Sequence, residues 1–195
     1  YEYKISKDNF KSDGIYKMSI SSKDATGNSP ENTNYKDKDI LFRVDSSAPE
    51  ITSVAGLENN IINAQEAPVK YTVYDTIGLK SVQVFVNGKQ VGDKITDFSS
   101  DMNNYSGNFV IYESNSEQKV RLVVEDLAGN VTDTDSDKFK SAYAFEKTVT
   151  VSTNIFVRWY ANKILFWCSI VGTVLIIGAV VFILLMKRKT KYDKS

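Results

Sequence analysis

The sequence predicts an all-β body, a β-sandwich, followed by a single C-terminal transmembrane α-helix. Three observations carry that reading. Before residue 155, apolar side chains recur at every second position in several short runs, as in strands with one buried face. Residues 164–186 read ILFWCSIVGTVLIIGAVVFILLM, with no charge and no proline. The basic segment KRKTKYDKS follows at once.

The strands follow in order. Val69, Tyr71 and Val73 alternate with Lys70, Thr72 and Tyr74. Val82, Val84 and Val86 alternate with Ser81, Gln83 and Phe85, and Asn87-Gly88 then signals a type I′ hairpin, because both residues tolerate positive φ. Phe109 with Ile111, and Val120, Leu122 and Val124, continue the period of two. Strands are expected near 50–55, 68–75, 80–87, 89–95, 107–112, 118–125 and 143–152. The last is ambiguous between 143–146 and 147–152. No stretch before the membrane run shows a helical period.

An internal repeat is visible. MSISSKDATGN at 18–28 aligns with VRLVVEDLAGN at 120–130, an offset of 102 residues. Met18, Ile20 and Ser22 fall in phase with Val120, Leu122 and Val124. Each strand runs into Asp-x-x-Gly-Asn, from Asp24 to Asn28 and from Asp126 to Asn130. The Asp can accept backbone N–H bonds, and Gly-Asn is expected to supply left-handed conformations. A spacing near 100 residues is the size of one sandwich domain.

These stretches, DATGN at 24–28, DLAGN at 126–130 and FRVDSSAPEI at 42–51, resemble the bacterial immunoglobulin-like repeats of membrane-anchored cell-surface proteins. FRVDSSAPEI is similar to the junction where one repeat's last strand gives way to the next repeat's first. Gly14-Ile15-Tyr16 fits the start of a penultimate strand. The resemblance implies an Ig-like Greek-key sandwich: one complete domain over 48–153, preceded by the last strands of a partial domain over 1–47. The partial domain should be marginal alone, since it buries only part of a core. Pro49 favours extended backbone and should hold successive domains end to end. The chain departs from that pattern at the end, where a polar loop, TDTDSDKFKS, follows Asn130.

Residues 154–163 form a juxtamembrane linker, 164–186 the transmembrane helix and 187–195 a basic cytoplasmic tail. At 1.5 Å per residue the apolar run reaches about 34 Å, enough to cross a hydrocarbon core of about 30 Å. Five of the 24 bases and one of the 24 acids lie in the tail. Short flanks rich in Lys and Arg stay cytoplasmic, which places the N-terminal region outside. Phe156, Trp159, Tyr160, Phe166 and Trp167 suit the headgroup zone at the outer edge. The competing readings are a buried core helix or a cell-wall sorting signal. The latter needs a Leu-Pro-x-Thr-Gly element, and VSTNIFVRWYANK has none. An exported chain starting at Tyr1 without a signal peptide is expected to be the C-terminal piece of a longer protein.

Composition narrows the chemistry. The chain has no histidine, and its single cysteine, Cys168, lies in the membrane run. Ser-His-Asp and Cys-His catalysis and His- or Cys-ligated zinc are thereby excluded. The region before the tail carries a net charge of −4, with no basic stripe, so nucleic acid is not an expected partner. Asp133, Asp135 and Asp137 are spaced like the start of an EF-hand. Lys138 and Ala144 stand where that loop needs Gly and Glu, so the motif fails. Looser calcium binding by these acids, or by Asp45 and Glu50, competes with a solvated acidic loop, which is the favoured reading. No spacing selects a catalytic pair among the carboxylates, and lysine and asparagine are too abundant to single out an isopeptide crosslink. Phe85, Tyr74 and Tyr112 could form a contact patch or brace their cross-strand neighbours. Catalytic, cofactor-binding and metal residues are all expected to be none.

The expected role is the membrane-proximal stalk and C-terminal anchor of a bacterial surface protein, not an enzyme. The expected partners are the lipid bilayer and, through upstream domains, an extracellular protein or carbohydrate. The alternatives are the tether of an upstream extracellular hydrolase, or a docking subunit of a membrane complex.

Overall fold

The computed structural model describes residues 4–19, 23–28, 39–135 and 143–192. A two-stranded antiparallel ribbon, β1 (Gly14–Met18) and β2 (Ile40–Val44), leads into two larger sheets. One sheet has the order β3-β5-β8, from β3 (Glu50–Ala55), β5 (Glu66–Tyr74) and β8 (Asn104–Tyr112). The other has the order β4-β11-β9-β6-β7. Its strands are β4 (Ile61–Ile62), β6 (Leu79–Val86), β7 (Lys89–Ile95), β9 (Gln118–Asp126) and β11 (Glu146–Val151), and β10 (Val131–Thr132) adds to β9. The β4–β11 pair is parallel and all other pairs are antiparallel.

The period of two produces the core. Val69, Tyr71 and Val73 of β5 and Ile111 of β8 are buried in one cluster with Val82 and Val84 of β6 and Val120, Leu122 and Val124 of β9. Two sheets sharing one apolar interior make a β-sandwich-like body. Each fully buried Val or Leu contributes about 1.5–3 kcal/mol relative to exposure. Gly107 makes room for one large member: a Cβ there would lie 2.4 Å from the Tyr71 ring. Burial, with Tyr105 nearby, pushes the Tyr71 phenol up to about 12.

The expected strands are present, with small shifts at their ends. Asn87 and Gly88 have φ of 51° and 76°, as a type I′ turn requires. The ambiguity in the last strand resolves to the later segment, because Glu146 pairs with Arg121 and Val149 with Gln118. Ser81 keeps the outward face expected of it but is buried there, because it pairs with Glu125, whose Oε2 accepts its hydroxyl at 3.3 Å. The register shifts between Leu79 and Ser81, and Lys80 in that bulge is exposed.

In the ribbon, Phe10, Tyr16 and Phe42 form a small aromatic cluster with centroids 4.9–5.6 Å apart. Its other face leaves Ile15 and Leu41 about two-thirds exposed.

The juxtamembrane segment departs from expectation. Residues 155–161 form a helix, α1 (Ile155–Ala161), where no helical period is visible in the sequence. Asn154 caps it, accepting the Phe156 N–H at 2.9 Å, which supplies the start that the short segment lacks from periodicity. Next comes α2 (Lys163–Tyr192), which continues beyond the apolar run into the basic residues.

Candidate functional site

Two places carry features that core packing alone does not require: the end of the sandwich facing the ribbon, and the base from which α2 leaves.

At the ribbon end, three Asp side chains converge. Asp45 follows β2, Asp75 follows β5 and Asp126 ends β9. One carboxylate oxygen from each lies within 4.8 Å of the other two. Asp75 and Asp126 are buried and Asp45 is half-buried. Local backbone orients each carboxylate. Asp75 Oδ1 accepts the N–H groups of Ile77 and Gly78 at 2.8 and 2.6 Å. Asp126 Oδ1 accepts the Asn130 N–H at 2.8 Å, and Asp126 Oδ2 accepts Asn130 Nδ2 at 2.7 Å. Asp45 Oδ1 accepts the Ser47 N–H at 3.1 Å, while Asp45 Oδ2 is buried without a hydrogen-bond partner.

The same residues join the two units. Asn130 Nδ2 also donates to the carbonyls of Asp45 and Ser47 at 3.2 and 3.0 Å. Thr132 donates its hydroxyl to the Pro49 carbonyl. Arg43 of β2 donates to the Ile77 carbonyl at 2.9 Å. Within the sandwich, the Leu127 N–H donates to the Gly78 carbonyl at 2.9 Å. Among the described residues, no ion pair involves any of the three acids. Burial pushes the Asp45 carboxyl up against the pull of the Ser47 N–H, and Asp75, Asp126 and Asp13 push it further. Asp13 itself is held below the carboxylate range by the hydroxyls of Ser47 and Ser46.

The acids singled out from sequence fare differently. Asp133 and Asp135 both pair with Arg121, the former at 2.9 Å, so they neutralise a strand arginine. Asp137 lies outside the described residues. Asp45 belongs to the cluster, whereas Glu50 opens β3 opposite Tyr74 and does not. Asp75 and Asp126 are not among the candidate ligands that the sequence singles out. A signal was present: Asp-x-x-Gly occurs at 24–27, 75–78 and 126–129, each time after a strand-like run. Among the outward aromatics, Phe85 lies under the Arg121 guanidinium, 5.0 Å from its ring centroid, and so braces its cross-strand partner. Tyr112 is exposed.

At the base, Arg158 ties α1 to the sandwich. It donates to Asn63 Oδ1 and to the carbonyls of Ser152 and Thr153 at 3.1 and 3.2 Å. Glu113 accepts both the N–H and the hydroxyl of Thr153, at 3.1 and 2.7 Å. Phe166 gathers Trp159, Tyr160 and Trp167 at centroid distances of 4.8, 5.2 and 5.6 Å. Phe156 instead lines a groove with Ile61, Ile155 and Leu165. Residues 163–188 are long and apolar enough to cross a membrane, with mean hydropathy 2.8 in the most apolar window and none of that window buried against the protein.

No family model matches the chain, and no curated protein matches it.

Proposed function

We propose that the chain is the membrane-proximal stalk and C-terminal anchor of a bacterial surface protein, with the sandwich outside the cell and the basic tail in the cytoplasm. One observation carries the proposal: a wholly unburied apolar helix, long enough to span a bilayer, leaves the base of a packed β body. Among the described residues, none of the helix's most apolar window is buried against protein, and hydrocarbon is the solvent that such a surface suits. The aromatic cluster around Phe166 and the basic residues after Met186 sit at its two ends, as headgroup anchoring and inward retention of positive charge require.

The immunoglobulin-like reading draws support from strand membership. The first, second and fifth long strands form one sheet, and the third, fourth, sixth and seventh form the other. The exposed Ile15 and Leu41 face of the ribbon fits the closing strands of a similar unit. In this reading the chain performs no chemistry of its own. Its sandwich gives reach to an upstream binding region, and the Arg158 contacts limit how far the body can swing on the helix.

Alkaline carbonate extraction of membranes from cells expressing the full chain tests the anchor. The protein should stay in the pellet, and the paired substitution Ile176→Arg, Val180→Asp should release it. Release of the unaltered chain by carbonate would refute anchoring.

A further inference from the structure

We propose that Asp45, Asp75 and Asp126 form a calcium site that clamps the ribbon to the sandwich. The geometry is that of a ligand set built before the ion arrives. Three carboxylate oxygens from three separate segments lie within 4.8 Å of one another. Two of those side chains are almost completely removed from water, Asp126 with no exposure and Asp75 with 3%. Buried carboxylates are ordinarily paired with a cation or bound to a metal. Here no Lys or Arg among the described residues pairs with any of the three. Arg43 of β2 donates from its guanidinium to the Ile77 carbonyl.

The independent sign of a ligand is Asp45 Oδ2. It is a buried oxygen without a hydrogen-bond donor, on a residue whose other oxygen is already held by the Ser47 N–H. Buried polar atoms are nearly always satisfied, so an orphan in a cluster of acids marks a place for a positive charge. The remaining oxygens hold the cluster in shape. The Ile77 and Gly78 N–H groups fix Asp75, and Asn130 fixes Asp126 through both of its own donors.

The donors choose the metal. All three are hard oxygens, and the chain has no histidine and no thiol outside the apolar run, which disfavours zinc and copper. Magnesium demands a near-ideal octahedron, whereas calcium accepts six to eight oxygens in irregular arrangements. Carboxylates drawn from three separate segments, without an imposed octahedron, suit calcium. Asp45 belongs to the ribbon side and Asp75 and Asp126 to the sandwich side, so one ion would tie the two units. At the millimolar calcium outside cells the joint would be stiff, and after chelation it would bend. Binding itself does not depend on the anchoring role, because it is measured on the purified chain.

The test uses the full chain in detergent micelles, stripped with a chelator and titrated with calcium chloride in a calorimeter, with thermal melting in parallel. One ion should bind per chain with a midpoint between about 10⁻⁶ and 10⁻³ M, and the melting temperature should rise over the same range. Asp45→Asn removes the orphan charge without touching either turn and should weaken binding about tenfold or more. Asp75→Asn, which keeps an acceptor for Ile77 and Gly78, serves as a second variant should the first fail to fold. Asp135→Asn should bind as the unaltered chain does. Absence of heat and of any melting shift up to about 5 mM calcium, well above the range for such modules, would overturn the proposal. So would undiminished binding by both cluster variants, or an equal response to magnesium at the same concentration.

Discussion

The five-residue turn Asp-x-x-Gly-Asn is built twice in this molecule, at 24–28 and at 126–130, with the same local bonds and different surroundings. In both, the Asp N–H donates to the Asn carbonyl, the Gly N–H donates to the Asp carbonyl, and the Asn donates its N–H and Nδ2 to the Asp carboxylate. Both glycines have φ of 91°. Asp24 is exposed, and the donors of Asn28 and Thr26 hold its carboxyl down to about 2. Asp126 is buried, and its Asn reaches across to Asp45 and Ser47. The turn is therefore a local device, and the site is what the rest of the chain adds to it.

The sharpest way to break the parallel is to delete both acids in turn. Asp126→Ala strands half-buried donors of Asn130 and should cost about 2–3 kcal/mol in denaturant unfolding of the full chain in micelles. Asp24→Ala should leave that unfolding unchanged, since water replaces the carboxylate. Equal losses would mean that the two turns carry equal weight.

A smaller contrast lies in the asparagines. Asn130→Ala loses the bonds to Asp45 and Ser47 and should cost about 1–2 kcal/mol. It should also speed proteolysis of the segment between β2 and β3. Asn28→Ala should do neither. If cleavage there is unaffected by Asn130→Ala, the asparagine does not hold the junction.

Gly129→Ala should cost about 1 kcal/mol through its positive φ alone, because open space surrounds the position where a Cβ would stand. Gly27→Ala meets the same backbone strain but should not alter unfolding of the sandwich. A loss well beyond that figure for Gly129→Ala would point to packing that the geometry does not contain.

The smallest effect is in pH. Asp45 is the acid that one turn faces and the other lacks among the described residues. Its folded pKa lies above its unfolded value, so the stability it contributes is full below about 3.9 and is lost as pH rises through the folded value. Without calcium, Asp45→Asn should melt a few degrees above the unaltered chain at pH 7, and this advantage should vanish as pH falls into the carboxylate range. A difference independent of pH would remove Asp45 ionisation from the account.

Much of the fold was legible because strand burial follows a period of two, as along Val120, Leu122 and Val124. Ser81 holds the outer face that the period predicts, and its burial there comes from the Glu125 side chain of the neighbouring strand, which no pattern within one strand states. α1 was missed because its start depends on one cap, Asn154, and its hold on the sandwich depends on Arg158. The turns at 24–28 and 126–130 were legible as turns, though asparagine serves there through its side chain and not through positive φ. The acid cluster was legible only in part. Asp45 stands beside the junction in sequence, whereas Asp75 and Asp126 reach it through strand pairing, which no local pattern states.

Cysteine mapping tests the central claim most directly. In a Cys168→Ser background, single-cysteine variants Ser99→Cys and Ser195→Cys would be treated with a membrane-impermeant maleimide on intact cells and again after permeabilisation. The account predicts labelling of the Ser99→Cys variant on intact cells, and of the Ser195→Cys variant only once the membrane is opened. The reverse pattern, or labelling of both on intact cells, would contradict it.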